Sequence, residues 1–375
     1  MVMSRSDSKL TSLLEEKLAT RLNRRHCVLT GRAASAIHIA LKSLDLEPGK
    51  VVVPDICCPS PATVTLYSGH QPVFCDVSLR DFNMCPISLR SILSQHTDVR
   101  AIIPVHLYGK SAPMNEILTI AENNGVAVIE DAAQAFGATF ESKPLGSWGD
   151  LSVISFGHTK TLNVGWGGAV LTNDDNLAQR LRNEVKSLPQ RPLDINKIFD
   201  EWRRVYYSLI ALTETNDALN ALFLPLPEIF KDMYLFSLDE TLVNPIFRAL
   251  DCLDDLVLAR RKAARIYRAK LQHPKIHHAD LDNEAAPWRY TILVDELFQK
   301  PVTDALRQAG IAASNWYPCL HKWYPVGRKQ DEDLFPNSSR VAAGNINLWV
   351  DPTISPDQID KTCQIIQDIV SNECP

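Results

Sequence analysis

Between residues 26 and 172, short apolar runs alternate with segments of helical length. His26–Thr30, Val51–Pro54, Pro72–Asp76, Ala101–Pro104, Val126–Glu130, Leu151–Ser155 and Ala169–Thr172 each read as a strand of four or five residues. Ahead of them, Leu10, Leu13, Leu14, Leu18 and Leu22 fall at helical spacing and predict an amphipathic helix over about Ser8 to Asn23. Further helices are expected over Ile37–Leu44, Pro59–Ser68, Pro86–Ser94, Met114–Asn123 and Asn176–Leu188. Strands separated by helix-length segments mean βαβ units, hence an α/β fold with a mostly parallel sheet.

After Leu188 the periodicity fades. Residues 189 to 239 hold Trp202, Arg203, Arg204, Tyr206, Tyr207 and the apolar run Leu222–Leu226. They read as a helical insertion packed on the lobe or on a subunit partner, or as a lid over a substrate. A long helix is expected over about Pro245 to Leu271. Beyond it come strands at Arg289–Val294 and Asn345–Trp349, and helices at Val302–Ala309 and Pro356–Ser371. The expected division is a large domain over 1–250 and a smaller one over 251–375.

The 375 residues are 45% hydrophobic and 22% charged, enough to bury a sizeable core. A net charge of -5 argues against a general nucleic-acid surface. No apolar run reaches membrane-spanning length, and Met1–Asp7 carries no signal-peptide core. Nine cysteines without metal-ligand spacing point to reduced thiols in the cytoplasm and to no metal site.

The chemistry concentrates in the stretch Ser155–Gly168, where one lysine and four glycines lie between two core strands. Lys160 there either snorkels to the surface or serves as a buried amine of lowered pKa. Upstream, the strand Val126–Glu130 runs into Asp131 and then small residues. Residues at the carboxyl ends of strands in an α/β sheet point into the ligand crevice. A lysine and a carboxylate at neighbouring strand ends meet the needs of pyridoxal 5'-phosphate (PLP). The amine holds the aldehyde, and the carboxylate keeps the pyridine nitrogen protonated. Separately, Gly31–Ala36 forms a small-residue turn from strand to helix, either an anion site or a plain turn.

The segments Ile129–Gly137, Gly146–Asp150, Ser155–Lys160 and Gly167–Val170 resemble the DegT/DnrJ/EryC1/StrS aminotransferases, and Ile103–Gly109 and Asn345–Pro352 add to the likeness. The resemblance covers most of the chain and is weak between about Leu181 and Asp251. It implies a fold-type I PLP enzyme that aminates keto sugars attached to nucleotides, with glutamate as donor and a homodimer as the working form. A PLP enzyme on a cyclitol ketone or a small amino acid, and a non-catalytic PLP-binding protein, remain as alternatives.

The resemblance also implies roles. Lys160 would be the Schiff-base lysine and proton shuttle, and Asp131 the partner of the pyridinium nitrogen. Gln134 would meet the ring or its phenolic oxygen. Ser155, Ser35 and the backbone of Ala34 would bind the phosphate. Tyr317 and His321, in the loop Asn315–His321 that would face the site from the small lobe, would contact substrate or pack around the proline. His106 and Tyr108 at a strand end would touch substrate or pack. Two departures stand out. The aromatic residue that stacks on the ring falls at Cys57 or Cys58, and the asparagine–arginine motif before the long helix is absent from Tyr234–Asp239. Arg32 would then replace the lost phosphate contact.

Overall fold

Seven strands build the central sheet of the computed structural model, which describes residues 5–213, 216–324 and 334–372. They are β1 (His26–Thr30), β2 (Lys50–Pro54), β3 (Gln71–Cys75), β4 (Val99–Ile102), β5 (Ala127–Asp131), β8 (Leu151–Ser155) and β9 (Gly168–Thr172). Between β5 and β8, β6 (Thr139–Phe140) and β7 (Lys143–Pro144) form a small separate hairpin. The order across the large sheet is β1-β9-β8-β5-β4-β2-β3. Strands β8, β5, β4, β2 and β3 are parallel, and β9 runs antiparallel to both β1 and β8.

Successive side chains on a strand point to opposite faces, and here both faces are covered. Val51, Val53, Ile129 and Val170 face the core made with helices α2 (Ala33–Ser43) and α3 (Ser60–Tyr67). Val52, Ile102 and Val128 face the opposite way, toward α4 (Pro86–Gln95) and α5 (Met114–Asn124). Leu14, Leu18 and Leu22 near the amino end close the same side of the sheet edge against Cys27, Leu29 and Leu171.

A second sheet, antiparallel throughout, is formed by β10 (His277–His278), β11 (Tyr290–Leu293), β12 (Ala313–Ser314) and β13 (Asn345–Leu348), in the order β10-β11-β13-β12. Tyr290, Ile292, Ile346 and Leu348 bury one face against helices Leu253–Lys270, Glu296–Gln308 and Pro356–Ser371. The other face is polar: Thr291 Oγ1 donates to Asn347 Oδ1 at 2.8 Å, and Asn347 Nδ2 donates to the Trp316 carbonyl at 2.5 Å.

Two expected elements differ. The helix expected over Pro245 to Leu271 is two helices, Val243–Ala249 and Leu253–Lys270, joined by a 3-10 turn at Leu250–Cys252. Asp254 and Asp255 in the first turn of the second helix favour a start there. The helix expected from Val302 begins at Glu296, because Asp295 caps it by accepting from Leu297 N at 3.1 Å; Pro301 lies inside the helix. Among the described residues no helix is long and apolar enough to cross a membrane.

Candidate active site

Asp131 ends β5 and Lys160 lies in the loop leaving the neighbouring strand β8. The Asp131 carboxylate is buried and accepts one hydrogen bond, from Ala133 N at 2.9 Å. Among the described residues no cation pairs with it at ion-pair distance. Burial pushes its pKa up, against the Ala133 N–H and the charge of Lys160. Lys160 is partly exposed as a residue, and its amine lies 5.1 Å from the centroid of the Trp288 ring. Loss of hydration pulls that amine below the usual lysine range, opposed by Cys58 and Asp131. Trp288 fixes the loop as well, donating from Nε1 to the Thr159 carbonyl at 2.7 Å. A Cβ on Gly168 would meet Ala33 N and Arg32 C at 2.6 Å, so only glycine lets β9 pass this close to the start of α2.

That start is uncapped. Arg32 occupies the N-cap position in extended geometry and offers no side-chain bond, which leaves the first-turn N–H groups of α2 for an anion. Ala34 and Ser35 are buried here. The Ser35 hydroxyl, however, donates to the Tyr234 carbonyl at 3.0 Å and accepts from Phe236 N at 3.1 Å. Gly31 N donates to the Phe236 carbonyl at 3.0 Å. Ser35 therefore faces an anion with its backbone, its hydroxyl being committed to the returning end of the insertion. Arg32 donates to the Met233 carbonyl, and its guanidinium lies 5.6 Å from the Trp166 ring and 5.3 Å from the Tyr234 ring. Ser155 Oγ accepts from Gly157 N at 3.3 Å, so its own proton remains available to donate.

Gln134 accepts from Tyr108 N at 3.0 Å and donates to Tyr317 Oη at 3.3 Å. Tyr108, Tyr317 and Trp288 pack with nearly parallel rings, 6.2 to 6.4 Å between centroids. The two adjacent cysteines diverge. Cys57 is buried with its thiol on the carbonyls of Pro54 and Cys58. Cys58 is half-buried, lies 3.4 Å from Ser60 Oγ, and is the thiol whose charge acts most on Lys160.

Two histidines hold structure rather than substrate. His106 is fully buried; Nε2 bonds Glu130 Oε1 at 2.9 Å and Nδ1 accepts from Ala112 N at 3.0 Å. With both nitrogens engaged it packs and does not touch substrate, which corrects the substrate role. His321 bonds Asp55 twice, from its backbone N and through Nδ1, both at 2.8 Å, and stacks on Phe335. It clasps the small-lobe loop to the end of β2, with only Nε2 unpartnered. Cys319 joins this pair, so that three buried metal-capable ligand atoms lie within 4.8 Å of one another.

The insertion is helical. Its helix Ile195–Thr213 sets Phe199 against Trp166 and His158, and Tyr206 against Trp316 and Trp323, beside the loops that carry Lys160 and Tyr317. Sequence reasoning missed Trp288, and it read Arg289 only as the first residue of a strand. The signal was present: an indole and a guanidinium side by side after Pro287, where a strand enters from a loop.

The buried carboxylate without a cation, the dehydrated amine, the uncapped helix start and the spare Ser155 proton together form the donor set that PLP requires. The profile of the DegT/DnrJ/EryC1/StrS aminotransferase family matches residues 5–192 and 236–367. The spore coat polysaccharide biosynthesis protein SpsC of Bacillus subtilis is 28% identical, over 95% of this chain and 88% of that protein. The UDP-2-acetamido-2-deoxy-3-oxo-D-glucuronate aminotransferase of Pseudomonas aeruginosa is 27% identical, over 93% and 88%. Among solved structures, NtdA of Bacillus subtilis with bound cofactor PMP superposes with a TM-score of 0.76 at 20% identity, over 97% of this chain and 77% of that one.

Proposed function

The chain belongs to the DegT/DnrJ/EryC1/StrS family of PLP-dependent aminotransferases, and on that premise we propose that it moves the amino group of glutamate onto a keto sugar carried by a nucleotide, for a polysaccharide such as a lipopolysaccharide. The observation that carries the reading is the placing of Lys160 and Asp131 at the ends of adjacent strands, where the charge of each opposes the shift that burial imposes on the other. The names of the relatives supply the substrate class.

Lys160 would hold the cofactor aldehyde and, once released, carry a proton to and from the reacting carbon. Asp131 would keep the ring nitrogen protonated. The α2 turn, Ser155 and Arg32 would hold the phosphate, and Cys58 and Gln134 would border the ring. Bound PLP supplies an electron sink for the carbon that bears the transferred nitrogen. Trp288 and Tyr317 line the side facing the small lobe and limit water there.

The working form in this reading is a cytoplasmic homodimer, with a cofactor domain over 1–250 and a small domain over 251–375. Exposed Leu222, Leu224 and Ile229 on the insertion support a covered surface there.

The test is release of 2-oxoglutarate from glutamate by the PLP-loaded protein, with and without nucleotide-linked 3-keto and 4-keto sugars. Sustained release only with such a sugar is expected. Release limited to one equivalent with every sugar would move the substrate to a cyclitol ketone or a small amino acid. No release at all would favour a non-catalytic PLP-binding protein.

A further inference from the structure

Two arginines are buried together behind Trp288. Arg260, on the helix Leu253–Lys270, and Arg289, just before β11, are each 4% exposed. Both donate to the same carbonyl, that of Trp288, Arg289 at 2.8 Å and Arg260 at 3.2 Å. Among the described residues neither has a carboxylate at ion-pair distance. Arg260 Nε is buried with no hydrogen-bond partner. A buried charge without a counter-ion is costly, and two of the same sign are more so.

Part of that cost is offset by stacking. The Arg289 guanidinium lies 4.3 Å from the Trp288 ring centroid and 4.0 Å from that of Trp349. Stacking covers the faces of the guanidinium and leaves its edge, where hydrogen bonds form. Burial, and next the charge of Arg260, push Arg289 down to about 10, against the smaller pull of Tyr317 and of Asp351, which is not at ion-pair distance. The charge of this cation is also felt at the reacting group. Its charge acts on Lys160, and the Lys160 amine lies on the same Trp288 indole. Both heads against one ring puts them within the span of a small substrate. Arg289 immediately precedes β11, whose polar face carries Thr291 on Asn347, the residue that donates to the Trp316 carbonyl.

We propose that Arg289, backed by Arg260, is the carboxylate anchor of the substrate site. Its edge would take a carboxylate bidentately while the reacting carbon of the same substrate sits at Lys160. The inference rests on the aminotransferase reading above. The carboxylate can come from the amino donor or from a uronic acid in the sugar.

The experiment compares wild type with Arg289→Gln, Arg289→Lys and Arg260→Gln, each first shown to keep the visible spectrum of bound PLP. Maleate binding is measured by calorimetry. The half-reaction is followed with glutamate and with isopropylamine, which has no carboxylate. Binding of UDP-glucuronic acid is set against that of UDP-glucose. Arg289→Gln is expected to weaken maleate by about 30-fold or more, with partial recovery in Arg289→Lys and a smaller loss in Arg260→Gln. A matching rise in KM for glutamate, with the isopropylamine rate unchanged, assigns the anchor to the donor. Loss of the preference for UDP-glucuronic acid over UDP-glucose assigns it to the sugar. Unchanged maleate affinity overturns the proposal, as does an equal loss with glutamate and isopropylamine, which marks a structural role. A wild type that binds maleate yet ignores glutamate defeats the choice of donor but keeps the anchor; one that binds no carboxylate defeats the anchor.

Discussion

Glu130 and Asp131 are consecutive carboxylates at the end of β5, and they titrate in opposite directions. Burial pushes Glu130 up, but His106 and the N–H groups of Gly146 and Trp148 outweigh it, and its pKa falls below the usual value. Asp131, equally buried, receives one N–H from Ala133, and burial wins. Strand alternation sends the two to opposite faces, so one carboxylate holds the fold and the other waits for a cation.

Lys160→Ala should leave a folded protein without the yellow colour of bound PLP and without glutamate half-reaction. The expected loss is about 10^3-fold or more, since anchoring and proton transfer are removed together. A spectrum before and after glutamate, with chromatography for pyridoxamine phosphate, checks it.

Asp131→Asn separates stability from catalysis. The folded pKa of Asp131 is raised, so its stabilising contribution is full below the unfolded pKa and is lost as pH rises through the folded one. At neutral pH the cofactor-free variant should melt about 1–3 °C higher than wild type. The PLP-loaded variant should transaminate on the order of 10^2-fold more slowly. Scanning calorimetry and single-turnover rates give the two numbers.

The placing of these two residues was legible in the sequence because Asp131 ends one apolar strand and Lys160 lies in the loop after the next, and that end of the strands in an α/β sheet borders the crevice. The same rule left His106 open between touching substrate and packing. It too follows a strand, but its side chain reaches Glu130 on the far side of β5, and no spacing in the sequence reports which side a residue past a strand end will take. Ser35 was found at the right turn, while the partner of its hydroxyl lies 199 residues away in a segment with no readable period. Trp288 acts through a hydrogen bond to Thr159 in the other lobe, a contact that local patterns do not encode.

His106→Ala tests the correction directly. Removing the ring that donates to a buried carboxylate should cost about 2–4 kcal/mol in urea unfolding. Glu130 has a lowered folded pKa, so its contribution is present above the unfolded pKa and is lost as pH falls through the folded one. Without His106 that lowering shrinks, and acid unfolding should begin at higher pH. KM for the keto sugar should stay within about twofold of wild type, because His106 touches no substrate.

Arg32→Ala should raise the PLP dissociation constant about 10- to 100-fold, the worth of one charge-assisted phosphate contact. Ser35→Ala should change that constant little, since its hydroxyl serves Tyr234 and Phe236. It should instead speed hydrogen exchange at Phe236 N, which loses its acceptor. Equilibrium dialysis and exchange mass spectrometry distinguish the pair.

The register of β1 against β9, with His26 opposite Thr172 and Thr30 opposite Gly168, bears on how the chain is made. Strand β1 leaves the ribosome early, yet its sheet partner is not synthesised until well over a hundred residues later. At about 5–20 residues per second the nascent chain carries an unpaired, apolar edge for on the order of ten seconds. The loop that holds Lys160 is closed by a different and local ladder, β8 on β9 with Ser155 opposite Gly168, so the lysine hairpin can form as soon as β9 is made while β1 still has to dock on it. Synthesis of this protein should therefore depend on holding chaperones more than its finished stability would suggest, and should suffer most when elongation stalls before Gly168.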